Sequence, residues 1–526
     1  MIQVELADPA ITVHNWPREM DALGQYKLRL RKTPEEMKAE REHLKKLYGD
    51  KAHKVSPLKF ENGTVIEHDA ENPTTVYFLP GLWPRVKGYM EANGLEYEIT
   101  ADNRNPDIRP PIDYEAIKDV QFRENQDLAL ALIATSDCGI IDCSVGWGKT
   151  FLLGIVCKAF PTLNILIATG STMVVNTIYE YLCKQVPGQV GIIMGGKDTS
   201  HNKRIVVSTL RSLPKIPAEK VHLLAVDEAH ECSDNQAGRE IMRFSFARRF
   251  GFTASPVRGD GSGIVLESLF GPVILKVSYE DAAGSGLVVP MKYAMLPCNW
   301  GPGICQKDDV AEVVMKRYAY WRNEARNRII AGFVYKLLEA DKDVQILIMT
   351  STLEGAVALS LKLPNFVVAY YGACDLKDLE RRFPKEKYPT FDASKYKMTQ
   401  KQLEITRAAF AKGTLKRIIS TTVFRQGVNF SHLKYLIRAD GATSKIMGIQ
   451  IPGRLSRLDE GKACGYLIDV ADTFCAWTRR RADIREKLYQ EQGWTKITPE
   501  DVINDTIGNA AADNQADTEC SNTQES

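Results

Sequence analysis

The sequence predicts an α/β protein with two tandem halves, each a doubly wound parallel sheet, behind a small N-terminal α/β domain. Three observations predict it. Five short apolar runs between residues 140 and 252 end in polar loops and are separated by helical stretches. That is the pattern of a parallel sheet covered on both faces. A second set of five such runs follows after about Pro290. The first 110 residues follow neither pattern.

Taken in order, Pro34–Tyr48 is highly charged, with Met37, Leu44 and Leu47 on a helical period, and reads as a surface helix. Thr74–Leu79 is a β-rich run. Pro80-Gly81-Leu82-Trp83-Pro84 opens a helix that ends near Asn93-Gly94, and Leu95–Thr100 is a further strand. Trp83 is either a wedge at a strand fork or a core residue against Val86 and Tyr89. Asp102–Pro111, with three prolines, is a linker. The first half then carries strands at Ile140–Cys143, Asn164–Thr169, Arg204–Ser208, His222–Val226 and Arg249–Phe252. The second carries Gln345–Thr350, Phe366–Tyr370, Arg417–Ser420, Tyr435–Arg438 and Tyr466–Asp469, with Pro297–Gly303 near the join. The expected divisions are 1–110, 111–288, 289–494 and a disordered tail over 495–526.

Composition narrows the function classes. At roughly 150 residues per domain, 526 residues suggest three or four domains. The 44% hydrophobic and 25% charged fractions are those of globular proteins, which excludes a disordered or collagen-like chain. Net charge is only +2. The seven acids after Lys496 face no Lys or Arg, so residues 1–496 carry +9. The body is mildly basic and the tail acidic. No apolar run reaches the roughly 20 residues that span a bilayer, and the N-terminus lacks a signal-peptide pattern. Eleven scattered cysteines read as reduced core residues, Cys298 and Cys305 included. A reducing cytoplasm is the expected compartment.

Three motifs carry chemistry. The first is Ser144-Val145-Gly146-Trp147-Gly148-Lys149-Thr150, between a strand and the helix Phe151–Phe160. Glycines there let backbone N–H groups turn toward phosphates at a helix start. Lys149 would reach the β- and γ-phosphates and Thr150 would ligate Mg²⁺. The first glycine of the full phosphate-loop pattern is missing, with Asp142 or Cys143 in its place. The second is Leu223–His230, an apolar strand ending in Asp227-Glu228. Asp227 can hold the metal and Glu228 can act as general base on a water. Adjacent acids in the first turn of a helix are the alternative reading. The third is Gln450-Ile451-Pro452-Gly453-Arg454-Leu455-Ser456-Arg457. Two arginines three apart share a helical face. They can stabilise charge in phosphoryl transfer or simply be solvated.

These motifs, in this order, resemble the superfamily 2 helicases of DEAH type. The residues that carry the resemblance are Gly146-x-Gly148-Lys149-Thr150, Asp227-Glu228-Ala229-His230, Thr253-Ala254-Ser255-Pro256 and Gln450-x-x-Gly453-Arg454-x-x-Arg457. Arg123 and Gln126 look like the element that reads adenine. Thr169, Ser208 and Thr209 look like first-lobe DNA contacts. Thr421-Thr422 with Gly427-Val428-Asn429 looks like the second-lobe nucleotide and DNA motif. The likeness covers about residues 114–475. Asn429 stands where many relatives have Asp, and Gly170 where proline is common. The extended Thr253–Gly261 segment looks more like that of repair and recombination DNA helicases than of RNA DEAD-box proteins, and the compact second half with Leu79–Arg85 is similar to phage helicases that act on branched DNA.

The resemblance implies two RecA-like lobes with ATP and Mg²⁺ between them. Lys149, Asp227, Glu228, Gln450, Arg454 and Arg457 would be catalytic. Arg123, Gln126, Val145, Gly146, Trp147, Gly148, Lys149, Thr150, Gly427 and Asn429 would hold the nucleotide, with Thr150 and Asp227 on the metal. Thr169, Ser208, Thr209 and Thr422 would contact nucleic acid, and Thr253 and Ser255 would couple hydrolysis to stepping. The implied activity is ATP-dependent unwinding or remodelling of duplex or branched DNA in replication, recombination or repair. Duplex translocation without strand separation, or action on RNA, is the alternative. The partner would be DNA (single-stranded, duplex or branched) or RNA, with no membrane, and the protein a monomer or transient oligomer. The basic stretch Lys377–Lys401, with Tyr388, Phe391 and Tyr396, is an extra DNA contact by base stacking or a solvated insertion. Arg479–Arg481 with Arg485 form a charged helix face or touch phosphates.

Overall fold

The computed structural model describes residues 1–508 except 8–9, 32–38, 40–41, 43–57, 104–105, 145, 234, 245, 254–262, 287, 307–309, 371–375, 422–429, 431, 445–447, 450 and 460–461. All of Pro34–Tyr48 except residues 39 and 42, together with Val145, Ser255, Thr422, Gly427, Asn429, Gln450 and the tail after 508, therefore lies outside the described residues. The chain divides into two units. One holds Met1–Cys143 and Gly148–Val277; the other holds Ser144–Trp147 and Ser278–Ser526.

The first unit begins with a five-stranded sheet. Its strands are β1 (Ile2–Leu6), β2 (Ile11–His14), β5 (Glu67–His68), β6 (Val76–Phe78) and β7 (Tyr97–Asp102), in the order β5-β6-β2-β1-β7. A separate ribbon pairs β3 (Gln25–Arg31) with β4 (Leu58–Thr64). β1 and β2 show the period-2 alternation of a one-sided sheet: Ile2, Val4, Leu6, Ile11 and Val13 are all buried. The helix Trp83–Ala92 covers this face with Val86 and Met90. Trp83 packs edge-on to Tyr97 at 6.0 Å, so its ring belongs to the core and is no wedge.

This small domain is seated on the larger sheet of its own unit. A Cβ on Gly81 would fall within 2.7 Å of the backbone of Glu267, Ser268 and Gly271. Only the absence of a side chain lets the Pro80–Leu82 turn meet the helix Gly263–Phe270 so closely. Arg85 then donates two hydrogen bonds to Glu267, Nε to Oε1 at 2.8 Å and Nη2 to Oε2 at 2.5 Å.

The large sheet of the first unit has eight strands. In chain order they are β8 (Cys138–Cys143), β9 (Ile165–Thr169), β10 (Val190–Met194), β11 (Lys197–Asp198), β12 (Ile205–Thr209), β13 (Leu223–Asp227), β14 (Arg248–Thr253) and β15 (Val273–Val277). Spatially they run β11-β10-β12-β9-β13-β14-β8-β15, all parallel except β11. The five expected strands are present within a residue or two. β10, β11 and β15 lie outside that expectation: Gly191 interrupts the first, the second is two residues long, and the exposed Val273 and Lys276 interrupt the last. β14 carries two buried arginines, Arg248 and Arg249. Arg248 donates to the carbonyls of Ile133 and Ser136, ending the helix Gln126–Thr135.

The second unit holds a seven-stranded, wholly parallel sheet. Its strands are β16 (Met291–Cys298), β17 (Ile346–Met349), β18 (Val367–Ala369), β19 (Arg417–Ser420), β20 (Tyr435–Arg438), β21 (Gly465–Asp472) and β22 (Thr495–Lys496). The order is β18-β19-β17-β20-β21-β16-β22. Both units are thus doubly wound RecA-like lobes, as expected.

Three expectations are corrected here. Residues 495–508 are not disordered: β22 pairs with β16 and a helix follows over 499–508. Two of its acids are structural. Asp501 caps the helix through Thr498, and Asp505 accepts from Lys292 at 2.8 Å and Tyr466 at 2.9 Å. Val502 is fully buried. Arg485 is neither a solvated face nor a phosphate contact. It lies buried on the helix Ala476–Glu491, 2.8 Å from Asp469, within a network that includes Asp472 and Tyr489. Arg479 and Arg480 remain exposed. Finally, Phe391 and Tyr396 are not free to stack on bases. They stack on each other at 5.8 Å inside a satellite core with Phe383 and Leu379.

Candidate functional site

The strand order β13-β14-β8 builds the site of the first unit. In a doubly wound sheet ligands bind beyond the strand C-termini. Here Asp227 pairs with Phe252 and Thr253 pairs with Asp142, so the ends of β13, β14 and β8 lie side by side. The loop after β8 turns through Gly146 (φ +95°) and Gly148 (φ +106°), which also caps the helix Lys149–Ala159. That region is open to glycine and strained for other residues. A Cβ on Gly148 would also lie 2.8 Å from Gln126 Nε2 and 3.5 Å from Arg123 Nη1. Arg123 and Gln126 are therefore brought against the phosphate loop. The Arg123 backbone N–H donates to Gln126 Oε1 at 3.1 Å, and Gln126 is fully buried.

Lys149 lies between the two expected carboxylates. Its Nζ is 3.2 Å from Asp227 Oδ1 and 3.2 Å from Glu228 Oε1. Burial works against its charge, but Asp227 and Glu228 outweigh that and raise its pKa above the usual lysine range. Burial raises the Asp227 pKa and Glu228 adds to it, with Lys149 opposing. Asp227 Oδ1 is buried and makes no hydrogen bond of good geometry, although the ammonium is within ion-pair distance. A buried carboxylate oxygen without a hydrogen bond is costly unless a cation satisfies it. The half-exposed Thr150 begins the same helix. These donors fit a divalent cation carried in with a nucleotide.

Glu228 sits at φ +57°. That backbone costs a non-glycine residue about 1–3 kcal/mol and persists where the surroundings over-determine it. Two contacts hold the turn. His230, buried, bonds through Nδ1 to Thr253 Oγ1 at 3.0 Å, and lies 3.5 Å from Glu228 Oε2. The Glu231 N–H donates to the Glu228 carbonyl at 2.9 Å. Thr253 is thus tied to the acidic turn through His230. The motif contained His230, but its role as a strut depends on β14 lying beside β13, which one sequence does not announce.

The expected nucleic-acid residues stand on the neighbouring strands. Thr169 and Thr209 are register partners at the ends of β9 and β12. Thr169, Ser208 and Thr209 are all buried, and two of the hydroxyls are engaged within the lobe: Ser208 Oγ donates to the Thr209 carbonyl and Thr209 Oγ1 bonds Ser212 Oγ at 2.8 Å. The exposed position is Gly170. A Cβ there would fall 1.8 Å from Glu231 Oε2, so the carboxylate rests where proline would put its ring. Glu231 was missed by the sequence reading.

In the second unit Arg454 lies on the 3-10 turn Pro452–Ser456, its guanidinium 5.7 Å from the Phe430 ring centre. Arg457 is the extended residue that ends this turn (φ −67°, ψ 136°). The two arginines therefore do not share a face of an α-helix, as the spacing suggested. Pro452 and Gly453 favour the short turn. Burial lowers the Arg457 pKa. Among the described residues no group of three or more His, Cys, Asp or Glu could hold a metal by itself, and no helix is long and apolar enough to cross a membrane.

Comparison with known proteins bears on what these sites do. Residues 112–258 match the family described as the type III restriction enzyme res subunit, and residues 330–459 match the helicase conserved C-terminal domain. The DNA 3'-5' translocase XPB2 of Sulfurisphaera tokodaii is 26% identical over 406 residues, 74% of this chain and 89% of that protein. A protein of Escherichia phage T5 named as helicase D10 is 22% identical over 413 residues, 78% of this chain and 83% of its own. Among solved structures, S. cerevisiae Dbp5 bound to RNA and ADP BeF3 is similar in fold, with a TM-score of 0.51 at 13% identity, over 77% of this chain and 98% of that one. The two family matches in this order, with the helicase and translocase names of the relatives, imply a nucleic-acid-dependent ATPase that uses ATP with a divalent metal, and support a superfamily 2 helicase.

Proposed function

We propose that the protein is an ATP-driven motor that unwinds or remodels duplex or branched DNA. The observation that carries this reading is Lys149 held at 3.2 Å from both Asp227 and Glu228, with Thr253 tied to the same turn through His230. Lys149 is poised to exchange these carboxylates for the β- and γ-phosphates of ATP. Thr150 and Asp227 would hold Mg²⁺, which when bound neutralises charge on the phosphate oxygens. Glu228 would accept a proton from the attacking water. Arg123 and Gln126 would hold the adenine end. Gln450, Arg454 and Arg457 take the charge-stabilising roles that the resemblance gives them.

Nucleic acid would meet the ends of β9 and β12. With the hydroxyls of Ser208 and Thr209 already engaged within the lobe, backbone N–H groups near Gly170 would make the phosphate contacts. Such contacts are independent of base sequence. Thr253 and His230 would pass the state of the nucleotide toward these loops.

A relative named as a DNA translocase favours a second reading, movement along duplex DNA without strand separation. One experiment separates the readings: ATP hydrolysis at fixed low salt with no nucleic acid, single-stranded DNA, duplex, a four-way junction or RNA, paired with strand displacement on a forked duplex. Strongest stimulation by the junction, with displacement, supports the proposal. Duplex stimulation without displacement supports translocation alone. Stimulation by RNA alone overturns the DNA assignment.

A further inference from the structure

Between β18 and β19 the second unit inserts residues 370–416, about one-eleventh of the chain. Its described part contains the helix Leu376–Arg382, the turn Ala393–Tyr396 and the helix Gln400–Ala411. The insertion has its own core. Leu379, Phe383, Phe391 and Ala393 are buried against Val357, and Tyr396 OH bonds Ser360 Oγ at 2.8 Å. Its aromatic rings are thus used internally, which leaves the cations outside.

Those cations fall into two groups. The arginines are matched: Arg382 and two neighbours, Arg317 and Arg322, converge on the buried Glu354, while Arg381 pairs with Asp378. Four of the lysines stand apart. Lys385, Lys387, Lys395 and Lys397 are exposed, and none makes an ion pair among the described residues. They lie on both arms of one loop, brought together by the core beneath. Asp392, between the arms, has its pKa lowered by hydrogen bonds from Ser394 and also by the charges of Lys395 and Lys385. Over 384–397 these four lysines face only two acids, Glu386 and Asp392. The Asp392 carboxylate is itself engaged, accepting from Ser394 N at 3.0 Å and Ser394 Oγ at 2.7 Å.

Flexible ammoniums at the surface, above the buried Phe383 and Phe391 rings and with Lys387 set over the half-buried Tyr388 ring at 5.8 Å, suit a repeating anion and not a shaped one. We propose that Lys385, Lys387, Lys395 and Lys397 form an auxiliary contact for the phosphodiester backbone of nucleic acid, made by charge alone. This rests on the reading of the chain as a nucleic-acid motor. It assigns to the insertion a tethering role through phosphates, without base stacking.

The test is the salt dependence of binding. Each phosphate neutralised contributes about 0.9 to the slope of log K against log salt on duplex DNA. With the full chain, a 30-base-pair duplex and no nucleotide, replacing all four lysines by alanine should flatten that slope by at least about 1 and leave the thermal midpoint unchanged. Replacing them by arginine should keep the wild-type slope. Two double variants, Lys385→Ala with Lys387→Ala and Lys395→Ala with Lys397→Ala, give the same readout if the quadruple variant does not fold, each flattening the slope in part. A wild-type slope in the alanine variants overturns the proposal and leaves the motor reading intact. Absence of salt-sensitive binding by the wild-type chain to both DNA and RNA overturns both. Competition by polyglutamate as effective as that by duplex at equal charge would make the partner an acidic polypeptide and overturn the assignment to nucleic acid.

Discussion

Replacing Lys149 by methionine removes the one cation placed between two carboxylates. At 3.2 Å and an effective dielectric near 20, each contact is worth about 5 kcal/mol of Coulomb attraction. Repulsion between the acids and the desolvation of three charges, whose side chains are only 11–23% exposed, take back most of it. Breaking a buried pair by removing one partner costs about 3–5 kcal/mol, and the Lys149→Met variant should lose about 3 kcal/mol at pH 7 in chelator. The pH dependence follows from Asp227. Burial already raises its pKa, and removing Lys149 raises it further. A carboxyl that binds its proton more tightly folded than unfolded costs stability as pH rises from near 4 through the raised value. The deficit of the variant should therefore grow between pH 5 and pH 7. Millimolar Mg²⁺ should restore the variant's thermal midpoint more than it raises that of the wild type. The assay is thermal unfolding at both pH values with chelator or Mg²⁺, beside ATP hydrolysis, which should be lost. An equal midpoint for variant and wild type, or a deficit independent of pH, would refute the placement of Lys149 as the counter-ion.

Four further predictions follow from particular contacts. Glu228→Gln should lower ATP turnover by about 10²–10⁴-fold while leaving nucleotide binding, read by a fluorescent ATP analogue, nearly intact. Gly148→Ala places a methyl at φ +106° and 2.8 Å from Gln126 Nε2; it should abolish the rise in thermal midpoint that ATP gives the wild type. Gly170→Ala should cost about 1 kcal/mol, and Glu231→Ala should relieve it, with a coupling of about 0.5–3 kcal/mol in a double-mutant cycle. Additive effects would remove Glu231 from the space above Gly170. Arg85→Ala should cost less than about 1 kcal/mol, because the Arg85 side chain is 42% exposed; limited proteolysis should show residues 1–102 still docked, since the Gly81 turn and not the ion pair brings the helix Gly263–Phe270 close.

What the sequence made legible was what local chemistry dictates. The parallel strands were visible because each is a continuous apolar run, and Lys149, Asp227 and Glu228 because glycines or adjacent acids at a strand end are rare without a ligand. What it hid depends on neighbours far away in the chain. β1 and β2 are too short to stand out, and their alternation gains meaning only when β6 and the helix Trp83–Ala92 cover one face. The acids of 495–508 looked like a solvated tail, yet Asp505 is matched to Lys292, more than two hundred residues earlier. Arg485 looked like surface charge because its partners, Asp469 and Asp472, sit on β21. The aromatic residues of the insertion suggested base stacking only while their own core was unseen.

Three acids, Asp227, Glu228 and Glu231, lie within five residues at the end of β13, and Lys149 compensates the first two. If phosphates draw Lys149 away, the turn must lose or exchange its cation, and metal bound with the nucleotide is the natural replacement. The third acid lies on the other side, against Gly170 at the end of β9. Phosphate approaching Gly170 would meet that carboxylate and repel it. Because Glu231 shares a backbone hydrogen bond with the strained Glu228, a displacement of one is felt by the other. A route of about one turn thus joins the strand end that would meet nucleic acid to the residue that would activate water, and the Gly170–Glu231 double-mutant cycle, repeated with ATP turnover as the readout, measures how much of the coupling passes along it.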